Sequence, residues 1–160
     1  MPVRYLEDLQ VGDKVQAAPV TVTEAEILEF ARRYDPQPMH ADPVAAAQGP
    51  FGGVIASGWH TAALVMRMVV DADPLGGQPL LGLGVDGIQW PQPVRPGDTL
   101  HLEIEVMAIT PSRSRPDYGV VKLTSTLRNQ RGEVVYVVSP NCWVARRPES
   151  HSIAQRKPML

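Results

Sequence analysis

One cysteine, Cys142, stands in a chain of 160 residues. A single thiol cannot build an internal disulfide framework, and its isolation suits a reducing compartment, so a cytoplasmic setting is expected. Long apolar runs are also missing. The most apolar stretch, Trp59–Val70, has nine apolar residues in twelve and is interrupted by His60, Thr61 and Arg67. At about 1.5 Å per residue a helix of that length falls far short of a bilayer, so no membrane span is expected. The opening residues MPVRYLEDLQVGD lack the apolar core of a secretory leader. Neither sign of charge dominates. A formal net charge of −2 gives no reason to expect nucleic acid or an anionic membrane as partner. Four histidines and one cysteine are scattered without ligand spacing, so no metal site is expected. No internal repeat is visible.

What is present is ordinary for a globular protein: 44% hydrophobic and 20% charged residues, in a chain long enough for a sizeable core. Residues 1–147 are expected to form one domain, followed by a polar, unpatterned tail at 148–160. Sixteen prolines gather at junctions, which implies stiff connections.

Lys14–Val22 has strand character, interrupted near Pro19. Thr23 and Glu26 form the S/T-x-x-E capping box. Ile27, Phe30, Ala31 and Tyr34 follow at helical spacing, which predicts a helix over 24–34. The prolines of Asp35-Pro36-Gln37-Pro38-Met39-His40 stop it and predict an extended segment. Asp42-Pro43 reads as N-cap and first residue of a short helix to Gln48. Ile55–Asp73 reads as a longer helix capped by Ser57 and stopped by Asp73-Pro74. Met66, Met68, Val69 and Val70 point to different sides of it, so it is expected to be buried all round with a sheet wrapped about it.

The remainder is strand-like. Leu80–Val85 and Gly87–Val94 read as two segments, the second broken by Pro91 and Pro93. From Thr99, apolar Leu100, Leu102, Ile104 and Val106 alternate with polar Thr99, His101, Glu103 and Glu105, which predicts a half-exposed antiparallel strand. Val120–Arg128 and Glu133–Val144 read as a hairpin, with a bulge or an edge at Pro140. Helices segregated from a run of strands imply an α+β fold.

Two places could carry chemistry. Asp35 and His40 lie five residues apart between helix ends, and a carboxylate with an imidazole is a natural acid/base pair near neutral pH. The spacing is short and common, and by itself it favours a helix-closing aspartate and a solvated loop histidine. Ser57-Gly58 opens the long helix, where unpaired N–H groups and the positive dipole end can stabilise an oxyanion. A plain capped helix explains the same residues. His60, in the first turn, is expected as a packed neighbour of such a site. His101 and His151 read as solvated, and Cys142 as a packing residue. Arg113 and Arg115 lie in a charged loop and could meet phosphates.

YDPQPMH (Tyr34–His40) followed by FGGVIASGWHTA (Phe51–Ala62) resembles the MaoC-like dehydratases, relatives of the (R)-specific enoyl-CoA hydratases. WPQPVRPGD (Trp90–Asp98), SRSRPDYGVV (Ser112–Val121) and NQRGEVV (Asn129–Val135) fit the same family, so that the likeness runs over about residues 5–145. The resemblance implies a hotdog fold, a long helix wrapped by an antiparallel sheet, in a homodimer or larger assembly. It implies that Asp35 and His40 hold the reacting water, that the Gly58 N–H binds the thioester oxygen, and that Gln37 stands where the motif has Asn. Ser57 and His60 would support the site. Some family hydratases place a serine further along the helix to support the Asp; Thr61 is the nearest hydroxyl here. The implied reaction is reversible hydration of a trans-2-enoyl-CoA, or dehydration of a 3-hydroxyacyl-CoA, with no metal or redox cofactor and with CoA as part of the substrate. Arg113 or Arg115 would help bind its phosphates. A hotdog acyl-CoA thioesterase and a non-catalytic acyl-CoA-binding subunit are the alternatives.

Overall fold

A computed structural model describes residues 2–148. Most of the expected tail, with His151, lies outside the described residues. In chain order, a 3₁₀ turn at Leu6–Asp8 leads to β1 (Lys14–Gln16), β2 (Val20–Thr21), α1 (Glu24–Tyr34), α2 (Pro38–Ala41), α3 (Pro43–Gln48) and α4 (Gly58–Ala72). β3 (Leu81–Gln89), β4 (Thr99–Pro111), β5 (Tyr118–Arg128) and β6 (Val134–Ala145) follow. The sheet is antiparallel, ordered β1-β4-β5-β6-β3, with β2 also on β4.

Local chemistry explains most of these elements. Thr23 Oγ1 accepts the Glu26 N–H at 3.2 Å while Glu26 Oε2 accepts the Thr23 N–H at 2.9 Å, which satisfies donors that the start of α1 would leave unpaired. Asp42 Oδ1 caps α3 through Val44 N and Ala45 N. The alternation of β4 turns Leu100, Leu102, Ile104 and Val106 into the core. Val65, Met68 and Val69 of α4 belong to that same core.

Three expectations are corrected. The segment after Asp35 is not extended throughout. Gln37, which precedes a proline, is extended (φ −70°, ψ 141°), but Pro38–Ala41 make one helical turn. Proline at the first helical position has a suitable φ and lacks only an N–H that would be unpaired anyway. The two segments expected at 80–94 are one strand, β3, which ends before Trp90 and carries register shifts between Gly82 and Gly84 and between Val85 and Ile88. Pro140 lies opposite Val85, beside the second shift.

The third correction concerns α4. It is not covered all round: Trp59 is 60% exposed, Met66 48% and Val70 55%. These residues, with exposed Ala63, recur every three or four positions and so form one stripe. A single sheet covers one side of a helix, and among the described residues this stripe of α4 is left exposed. Among the described residues no helix is long and apolar enough to cross a membrane.

Candidate active site

Asp35 and His40 meet because three short segments are tied together. Asp35 closes α1, its N–H donating to Ala31 O at 2.8 Å. His40 sits on the α2 turn. The stretch Ile55–Ser57 runs between that turn and the segment preceding β4: Ile55 N donates to Met39 O at 3.1 Å, and Ala56 N to Val94 O at 2.9 Å.

His40 is buried, and its Nδ1 lies 2.8 Å from Ile55 O. A carbonyl can only accept, so Nδ1 carries the hydrogen and the neutral ring keeps its lone pair on Nε2. That Nε2 faces Asp35 Oδ2 at 3.6 Å, with the Asp35 side chain 19% exposed. The separation is too long for a direct hydrogen bond and short enough for both atoms to bond one oxygen.

Asp35 is held from both sides. Ser57 Oγ donates to Oδ2 at 2.6 Å and Gln37 Nε2 to Oδ1 at 2.7 Å. The Ser57 bond, then the Gln37 bond, holds the carboxyl below its ordinary pKa against the opposing effect of burial, with a smaller contribution from His40. Asp35 is therefore a carboxylate at neutral pH. The Ser57 hydroxyl has a second role, accepting the Trp59 N–H at 3.3 Å as N-cap of α4.

Gly58 is the first residue of α4, so its N–H has no carbonyl one turn back to bond. The neighbouring Ser57 hydroxyl brings this helix end to Asp35. A Cβ at Gly58 would lie 2.9 Å from Cε2 and Nε1 of Trp90, so the close approach of the indole, and not backbone conformation, demands glycine here.

The MaoC like domain profile matches residues 8–128. The chain belongs to the MaoC-like dehydratase family. A MaoC-like dehydratase from Rhodospirillum rubrum is 49% identical in sequence and superposes with a TM-score of 0.83, over 91% of this chain and 99% of that one. The R-hydratase PhaJ1 of Pseudomonas aeruginosa, unliganded, is 26% identical with a TM-score of 0.74, over 98% and 95%. A 3-hydroxybutyryl-CoA dehydratase of Methylorubrum extorquens is 31% identical over 114 residues, 71% of this chain and 70% of its own. The α+β architecture is thus the hotdog fold of the MaoC-like dehydratases, with α4 as its long helix.

The remaining candidate residues of this MaoC-like dehydratase fall into two groups. Gln37 and Ser57 touch Asp35 directly. Thr61, the nearest hydroxyl further along α4, points back to Ser57 O at 3.4 Å, and Ser57 itself donates to Asp35. The available signal was that an N-cap serine uses its oxygen as acceptor and keeps a hydrogen to donate. His60 packs against α1. It is buried and stacked on Phe30 of α1, ring centroids 4.9 Å apart at 11°. Burial lowers its pKa, opposed by Glu26, and its Nδ1 has no hydrogen-bond partner among the described residues.

Arg113 and Arg115 are exposed in the loop 112–117, beyond the far end of β4. The start of β4 is the end near the site, where Val22 N bonds Asp98 O and Gly97 N bonds Val22 O, just before α1. Within one chain the two arginines are therefore not brought to Asp35 and His40. Arg115 lies 5.9 Å from the centre of the Trp143 ring. Cys142 is buried, and burial raises its thiol pKa. Among the described residues no three His, Cys, Asp or Glu side chains gather as metal ligands do.

Proposed function

We propose that this MaoC-like dehydratase hydrates a trans-2-enoyl-CoA reversibly, or equivalently dehydrates a 3-hydroxyacyl-CoA. The observation that carries this reading is the Asp35 Oδ2–His40 Nε2 pair at 3.6 Å, each member fixed by further hydrogen bonds. Both would hold one water. As its oxygen bonds to Cβ, one of the pair takes the water proton, and the pair returns a proton to Cα on the same face, so that the net change is addition of water. The Gly58 N–H and the α4 dipole would polarise the thioester carbonyl and stabilise the enolate between the two steps. No metal or redox cofactor takes part, and CoA enters as part of the substrate. The names of the R-hydratase and the 3-hydroxybutyryl-CoA dehydratase favour the same chemistry.

The working form is a homodimer in the cytoplasm. β3 is an edge strand with Leu81, Leu83 and Val85 exposed, and the α4 stripe is open as well. An apolar edge strand left uncovered invites pairing with another chain. A partner subunit would bring Arg113 or Arg115 to the CoA phosphates.

A panel of enoyl-CoA esters tests the reaction by loss of enoyl absorbance. Release of free CoA thiol in place of that loss would mean a thioesterase. Tight acyl-CoA binding with no turnover on any ester would mean a binding subunit.

A further inference from the structure

Trp90 has no part in the reaction as described, yet it is fitted closely to the residue that would bind the thioester oxygen. Its indole Nε1–H donates to Gly58 O at 2.9 Å. Its ring covers the Gly58 Cα so closely that an added Cβ would meet three indole atoms at 2.9, 2.9 and 3.3 Å. The ring is itself braced. Trp59 meets it edge-on with centroids 5.5 Å apart, and Tyr136 of β6 lies at 5.8 Å. The segment that carries it is tied to the site by the Ala56 N to Val94 O bond.

On the other side of Gly58, Ser57 O accepts the Thr61 N–H at 3.1 Å, and the Ser57 hydroxyl is bound to Asp35. The Ser57–Gly58 peptide, whose N–H is the proposed oxyanion donor, is thus held before Gly58 by α4 and Asp35 and after it by Trp90. Oxyanion stabilisation depends on donors that need no reorientation as charge develops, and a small misplacement is costly.

We infer that Trp90 is a positioning residue: by bonding the Gly58 carbonyl and packing on its Cα, it fixes the direction of the Gly58 N–H towards the thioester oxygen. This inference rests on the hydratase reading of Gly58. It also assigns the glycine its reason, since the space a side chain would need is filled by the indole.

The test uses Trp90→Phe, Trp90→Leu, Gly58→Ala and the double variant Gly58→Ala/Trp90→Leu in the full chain. Trp90→Phe keeps a ring and loses the N–H. It should lower kcat about fivefold, the worth of one ordinary hydrogen bond, with KM changed by less than about twofold. A merely structural tryptophan would lower the unfolding temperature and leave kcat alone. In Gly58→Ala the new methyl displaces the indole, so the double variant should lose less activity than the product of the two single losses. Wild-type kcat in Trp90→Phe, or strictly multiplicative losses in the double variant, would overturn the assignment. If the wild type hydrates no enoyl-CoA, the proposed reaction fails by itself. The clamp is then decided without substrate, by NMR. In Trp90→Phe the Gly58 amide resonance should shift and its hydrogen exchange quicken; an unchanged resonance and rate would overturn the clamp.

Discussion

Replacing Ser57 by alanine removes one hydroxyl with two partners. As N-cap of α4 it accepts the Trp59 N–H at 3.3 Å, and it donates to Asp35 Oδ2 at 2.6 Å. Loss of an N-cap serine costs about 1 kcal/mol. A hydrogen bond to a charged group contributes about 1.5–3 kcal/mol, and solvent reaching a carboxylate that is 19% exposed puts this one near the lower end. The sum is about 2–3 kcal/mol at neutral pH, or about 5–10 °C in unfolding temperature for a domain of this size. The two parts separate by pH. Ser57 is the largest cause of the lowered Asp35 pKa. A carboxyl whose folded pKa lies below its unfolded value stabilises the fold above the unfolded pKa, and that stability is lost as pH falls through the folded pKa. The gap between wild type and Ser57→Ala should therefore narrow as pH drops below the ordinary carboxylate range, leaving only the cap. Thermal unfolding at neutral and acid pH measures this. The acid limb of any hydration activity should also move to higher pH in the variant, because Asp35 then protonates sooner. A gap that is the same at both pH values, with an unmoved acid limb, would refute the coupling between Ser57 and Asp35.

Three further outcomes are expected. Asp35→Asn and His40→Gln should each lower hydration turnover by roughly 10²–10⁴-fold with the fold intact by circular dichroism, and wild-type turnover in both would remove the proposed mechanism. His60→Phe keeps the stack on Phe30 and removes a buried nitrogen that has no partner among the described residues, so the protein should be as stable as wild type or up to about 1–2 kcal/mol more stable in denaturant titration. Because the folded His60 pKa lies below its unfolded value, the unfolded chain takes up that proton first as pH falls below about 6.5; wild type should lose stability there, and His60→Phe should lose less. Leu83→Lys on the exposed edge of β3 should shift the protein to monomer in sedimentation velocity, and an unchanged dimer would move the interface elsewhere.

Much of the fold was legible because its signals are local. The capping box and the spacing of Ile27, Phe30, Ala31 and Tyr34 foretold α1, and the alternation from Thr99 foretold β4. Asp42-Pro43 marked α3 correctly. The candidate pair, Asp35 and His40, was visible as residue types in a stiff segment. Its meaning depended on burial: a solvated loop histidine and a buried one bonded to Ile55 O have the same sequence. The helical turn at Pro38–Ala41 was missed because one proline disfavours helix for the residue before it and favours helix after it, and the two rules overlap within four residues.

By itself the sequence determined what depends on neighbours a few residues apart: where helices start and which strand face is apolar. Only the tertiary structure decided what depends on distant segments arriving together. Ser57 and Asp35 are 22 residues apart in the chain, and Trp90 and Gly58 are 32 apart. The same holds for the open stripe of α4 and for the placing of Arg113 and Arg115 at the other end of the sheet. The reason is geometric. Helix and strand periods come from bonds between near neighbours, whereas the site is set by where the chain returns, and that depends on how all the apolar faces are buried at once.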